Sequence, residues 1–144
     1  MEKTKLVGKT KNAGFQIGVR KTFPAPVETV WSFLFSETGL TAWLGKISVE
    51  NFESGKLYKT EEGIEGTVNV LIPNSHVRLT WKPKYWTNTS AVQLRVIPSK
   101  GRATISFHQD KLLDDGQRSE MKKHWDAVIK KIENGMIKPG KTSV

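Results

Sequence analysis

A chain of 144 residues has the length of one ordinary domain, and folding at that size buries roughly 68–70% of the surface the unfolded chain exposes, enough for a real core. With 37% hydrophobic and 26% charged residues the sequence lies outside the composition of disordered chains, and the absence of Cys excludes disulfides, thiolate metal sites and thiol nucleophiles together. The net charge of +9 raises the question of nucleic acid, whereas the lack of an apolar run near the roughly 18 residues of a membrane span, and of a secretory signal in the Lys-rich start, leads us to expect a cytoplasmic protein without a membrane span.

Residues 1–14 show no periodicity and are expected to be a flexible lead-in to a single domain over 15–136. Phe15, Ile17 and Val19 then alternate with Gln16, Gly18 and Arg20, which predicts a half-buried strand running to about Phe23. Pro24-Ala25-Pro26 stops it. Val27, Val30, Trp31, Leu34 and Phe35 follow at helical spacing, and Thr38 to Leu44 supplies a further turn or two of helix before Gly45. Leu40, Trp43 and Leu44 form an apolar corner that needs cover.

From Lys46 to Lys111 short alternating runs at 46–53, 56–60, 64–72, 76–83, 91–98 and 102–110 predict six antiparallel strands, punctuated by turn residues such as Ser54-Gly55, Asn74-Ser75 and Lys100-Gly101. The wetter stretch 82–90 reads as an extended loop with exposed aromatics, Tyr85 and Trp86. Asp114-Asp115-Gly116-Gln117 offers a capping box to a long helix from about Ser119 to Asn134, stopping at Gly135. Met121, Trp125, Val128, Ile129, Ile132 and Met136 fall in one stripe about 100° wide and Lys122, Lys123, Asp126, Lys130 and Lys131 lie opposite, so one face must cover the sheet. Residues 137–144 are expected to be a flexible tail.

The positive charge is confined to the ends. Residues 1–21 carry six Lys or Arg against one Glu, 118–144 carry seven against three acids, and the middle, with ten of each sign, is neutral. A groove that reads nucleic acid concentrates cations among aromatics on one face, so no specific nucleic-acid partner is expected.

The order strand, helix, helix, six antiparallel strands, long terminal helix resembles the helix-grip fold of the START and Bet v 1 superfamily (SRPBCC): an α+β, β-α-α-β6-α arrangement with a curved antiparallel sheet wrapped around the C-terminal helix. Phe23-Pro24-Ala25-Pro26-Val27-Glu28-Thr29-Val30-Trp31, then Thr41-Ala42-Trp43-Leu44-Gly45, Gly66-Thr67-Val68, Leu79-Thr80-Trp81 and Trp125 are similar to the bacterial family related to the C-terminal domain of the activator of the heat-shock-protein-90 ATPase. The similarity spans about residues 15–135. It implies a fold shared by lipid carriers, ligand sensors, polyketide cyclases and chaperone partners, and fold alone does not choose among them.

In such a fold the space between sheet and terminal helix either fills with side chains or stays open. Strand parity places Val68, Val70, Leu79, Trp81, Val92, Leu94, Val96, Ile105 and Phe107 toward Trp31, Trp125 and Val128, a lining suited to a lipid, a polyketide or a planar aromatic molecule. The plain alternative is that they are simply core. Tyr58 and Gln109, with Tyr85 and Trp86, are the polar or amphipathic groups placed to reach a pocket mouth. The expected ligand set is therefore Trp31, Tyr58, Val70, Leu79, Trp81, Leu94, Val96, Phe107, Gln109, Trp125 and Val128.

His108 points outward by parity, while His76 and His124 converge with no second titratable group, so no catalytic residues, metal ligands or cofactors are expected. The leading expectation is a monomeric, non-enzymatic module that binds a small hydrophobic molecule. Its alternatives are a protein-partner module using Tyr85 and Trp86, or a cyclase- or dehydratase-like enzyme.

Overall fold

The computed structural model describes the backbone of residues 9–10 and 14–142 and the side chains of residues 15–136. Of the expected lead-in, residues 1–8 and 11–13 lie outside the described residues, while Lys9–Thr10 pairs as a short strand, β1, with β2 (Gly14–Phe23). Helix α1 (Val27–Leu34) buries Val30, Trp31 and Leu34, the residues its apolar spacing selected. Ser36 caps α2 (Glu37–Trp43), its hydroxyl accepting from the Gly39 N–H at 3.1 Å. The two helices fit closely because Gly39 lacks a side chain: a Cβ there would lie 1.8 Å from the Phe33 carbonyl oxygen.

The stretch 46–53 does not form the expected strand. Gly45 turns the chain with φ 144, the Glu62 carboxylate takes the Lys46 N–H at 2.9 Å, and a single 3₁₀ turn follows at Val49–Asn51. Ile47 and Phe52 are both buried although five residues apart, at opposite parity, so the alternation a half-buried strand requires is absent. Five strands follow the helices: β3 (Leu57–Lys59), β4 (Glu65–Ile72), β5 (His76–Trp81), β6 (Ser90–Ser99) and β7 (Arg102–Leu112). All pairings are antiparallel, in the order β1-β2-β7-β6-β5-β4-β3.

Helix α3 (Asp115–Thr142) closes the fold. Asp114 and Gln117 cap it reciprocally, the Gln117 N–H donating to Asp114 at 2.9 Å and the Gln117 side chain accepting from the Leu113 N–H at 2.8 Å. The helix does not stop at Gly135 but continues through most of the stretch expected to be a tail. Gly135 is a close-approach residue instead of a terminator: a Cβ there would meet the Phe33 ring at 2.7 Å, so its bareness lets α3 pass the helical pair. Met121, Trp125, Val128 and Ile132 are buried against the sheet, as the helix wheel predicts, and the α+β helix-grip arrangement is the one expected.

Candidate ligand-binding site

Among the described residues, the space between sheet and α3 is full. Leu94, Phe107, Gln109, Trp125 and Val128 are at most 2% exposed, whereas a chamber able to admit a molecule would leave its walls reachable by water. Phe107 and Trp125 stack at 4.5 Å between ring centres, and Trp43 approaches Phe107 at 6.0 Å. Trp31, Leu79, Trp81 and Val96 are buried with them. Leu79, Trp81, Leu94, Val96, Phe107, Trp125 and Val128 thus point inward as their parity predicts and meet one another across the interior.

Three residues sit differently from the expectation. Val70 faces outward: the ladder slips between Val68↔Leu79 and Val70↔Arg78, and beyond this bulge Leu71, opposite buried Val77, takes the inward place. Gln109 is fully buried instead of lying at a mouth, because it closes a polar chain. The Trp125 indole N–H donates to Gln109 Oε1 at 2.8 Å, Gln109 Nε2 donates to Ser90 Oγ at 2.9 Å, and Ser90 Oγ donates to the Trp81 carbonyl at 2.7 Å. Every link is satisfied, which is what makes an amide tolerable there. Tyr58 is buried too, its hydroxyl donating to the Thr80 carbonyl at 2.6 Å; burial first, and then the Glu65 charge, push its pKa far upward, so it is a fixed neutral donor.

The loop residues part company. Tyr85 is 71% exposed, but Trp86 is 4% exposed and packs on Trp81, so the pair forms no exposed aromatic patch. A buried aromatic gains more from the core than a surface anchor could. His108 bonds Gln16 at 2.7 Å on the outer face, matching its parity, and His76 bonds Ser75 at 2.8 Å. Among the described residues no group of three or more His, Asp or Glu could hold a metal ion, and no helix is long and apolar enough to cross a membrane.

Where the helical pair meets the sheet, a cleft of about 150 Å³ opens among Trp31, Phe35, Leu40, Val49, Phe52, Leu71 and Pro73. All seven are apolar. Trp31 and Phe35 stack at 4.4 Å, and Phe52 closes on Phe35 at 5.9 Å, so three rings fix its shape. The apolar corner at Leu40 was legible in sequence. Val49 and Phe52 were hidden because their segment reads as a strand, and Leu71 because only the bulge turns it inward. A larger groove of about 480 Å³ crosses the outer face at β3, beside Leu57, which is 79% exposed.

This packing, with an antiparallel sheet gripping one long helix, defines the helix-grip class, and comparison with known proteins narrows it. Residues 24–136 match the family model described as Activator of Hsp90 ATPase homolog 1-like protein, and the chain belongs to that family. No curated protein matched. Among solved structures, CalU16 from Micromonospora echinospora is 16% identical, with a TM-score of 0.72 over 84% of this chain and 73% of its own. MLL2253 from Mesorhizobium loti is 18% identical, with a TM-score of 0.73 over 85% of this chain and 97% of its own. PFC0360w, an HSP90 activator from Plasmodium falciparum, is 14% identical, with a TM-score of 0.57 over 68% of this chain and 74% of its own. At these identities the likeness is one of fold.

Proposed function

We propose that the protein is a non-enzymatic binding module for a small hydrophobic molecule, held in the cleft between the helical pair and the β4–β5 hairpin. The supporting observation is the lining of a 150 Å³ space by seven apolar residues, three of them aromatic, which reaches the surface at Val49 and Pro73. An apolar space of about that volume has room for a single six-membered ring. The ligand is therefore a ring-bearing or short-chain molecule, or the apolar end of a larger one. Binding of 4-fluorotoluene followed by ¹⁹F NMR tests this. Saturable broadening that disappears in Val49→Trp, a rim substitution that roofs the cleft, is the expected result; broadening unaltered by the roof, or none in the parent, overturns it.

A second reading, a protein-partner module of chaperone-activator type, is favoured by the exposed Leu57 beside the 480 Å³ groove and by the HSP90 activator among the structural relatives. Stimulation of an Hsp90 ATPase by the purified chain, lost in Leu57→Asp, is its signature; no stimulation removes it.

A further inference from the structure

The middle strands of the sheet carry a second set of side chains that the interior does not use. Val77, Leu79, Val92, Leu94, Phe107 and Gln109 are buried in the core, so parity turns Arg78, Ala91, Gln93, His108 and Asp110 to the outer face. The register joins them. Arg78, Gln93 and His108 stand side by side in one row across β5, β6 and β7, and Ala91 and Asp110 stand together in the next outward-facing row. Ala91 is short beside these longer neighbours, and a hollow of about 270 Å³ forms there, reaching Asn69 at the β4 bulge.

The hollow is polar, and among the described residues its charges are unanswered. Asp110 is the sole acid on β5, β6 and β7, yet it makes no ion pair, and its Oδ1 is buried without a hydrogen-bond partner. A carboxylate so placed lacks the donors that normally offset its desolvation. At the other end Arg78 is exposed and has no acidic partner either. Arg95, the outward residue after Gln93 on β6, adds to the positive charge of that end: burial first, and then Arg95 and Arg78, lower the pKa of neighbouring His76. His108 is held in place by Gln16 at 2.7 Å. Two strand spacings and a two-residue step separate Arg78 from Asp110, roughly 12 Å between backbones. The long Arg78 side chain covers part of that distance, so a short molecule can bridge the rest.

We propose that this hollow binds a small dipolar ion of the amino-acid kind, its carboxylate on Arg78 and its ammonium on Asp110, with the Gln93 amide between them. A planar carboxylate matches the two-pronged guanidinium, and an ammonium supplies the donors and the charge that the Asp110 carboxylate lacks. An ion of one sign would answer one end of the hollow and meet like charge at the other, so the pair of ends selects for molecules carrying both. The site lies on the face of the sheet turned away from α3 and shares none of the seven residues of the cleft in the proposed function, so it stands or falls independently of that reading.

The probes are glycine, 4-aminobutanoate and 6-aminohexanoate, which hold the two charges at increasing separations, with butanoate and butylamine as their single-charge counterparts. Each is titrated against the whole chain and followed by the backbone amide signals of Ala91, Gln93 and His108 in ¹H–¹⁵N NMR. The best-fitting dipolar probe is expected to saturate in the low millimolar range and to bind about tenfold more tightly than either counterpart, because the second contact forms within an already bound molecule. Asp110→Asn should reduce its affinity to that of butanoate, and Arg78→Gln to that of butylamine. The second variant alters an exposed side chain and carries the test should the first not fold. No dipolar probe binding better than the single-charge compounds, or dipolar binding unchanged in Arg78→Gln, overturns the proposal and leaves Asp110 to ordered water. Val49→Trp, which roofs the cleft, should leave this binding as it is, so either site can fail without the other.

Discussion

Replacing Gln109 by Met keeps the length and bulk of the side chain and removes only its polar atoms. Trp125 Nε1 then becomes a buried donor without an acceptor, while Ser90 keeps its bond to the Trp81 carbonyl and loses only an incoming one. Stranding one buried donor costs about 1–3 kcal/mol and the lost bond adds little more, so Gln109→Met should destabilise by about 2–3 kcal/mol. Trp125→Phe strands the Gln109 carbonyl in the same way and also loses contact with Phe107, for about 3 kcal/mol. The double variant strands neither partner of that bond. It should therefore cost about 1–2 kcal/mol less than the sum of the singles. Urea unfolding of all four proteins measures this, with equal m-values required for the comparison to hold. Singles that add up to the double within about 0.5 kcal/mol would refute the idea that this chain holds its amide in the core through satisfied bonds.

His124 makes stability depend on pH. Its pKa falls from 6.5 to about 4 on folding, so the unfolded chain binds the extra proton between those values and stability is lost as pH falls through that window. From pH 7 to 5 the loss should be about 2 kcal/mol and should shrink sharply in His124→Phe; His76, lowered by its own burial and by Arg95 and Arg78, accounts for any remainder of the same sign. Equal slopes in the two proteins would place His124 in water. Gly135→Ala should destabilise by about 1 kcal/mol in thermal unfolding, because its Cβ meets the Phe33 ring, whereas a helix-interior glycine with open space beside it would gain by a similar amount. In a Phe33→Ala background the sign should reverse, and persistence of the loss there would point to another cause.

The helices and the long strands were legible because each carries its period in full. Trp125 and Val128 on α3, and Leu94, Val96 and Phe107 on β6 and β7, are inward in sequence and in space alike. What was not legible involves one residue acting at a distance. The bulge that sends Val70 out and Leu71 in leaves the alternation of β4 looking regular, since apolar side chains occupy both positions. Gly135 has the look of a stop signal, and only the position of Phe33, about a hundred residues earlier, shows it to be a point of approach. Trp86 sits in a polar stretch whose composition says exposed, and burial was decided by the partner it meets, Trp81. The candidate cleft joins α1, α2, a 3₁₀ turn and a bulged strand, so no single periodicity could outline it.

The margins of the sheet are unequal in composition but alike in brevity. One is β1, two residues long, and the other is β3, three residues long, preceded by Lys56 and ending on Lys59. A sheet recruits another chain through the row of unpaired amides and carbonyls on its outermost strand, and a long flat row is what seeds fibres. Here the five longer strands, β2 and β4 to β7, all lie inside the order, but among the described residues β1 pairs with β2 only at Gly14 and Phe15, and β3 with β4 only from Glu65 to Thr67. The apolar alternation that builds the core would be hazardous at a border. Most of that alternation is kept in the middle, and the part of β2 that β1 does not cover carries Arg20 and Lys21, whose charges oppose edge-to-edge growth.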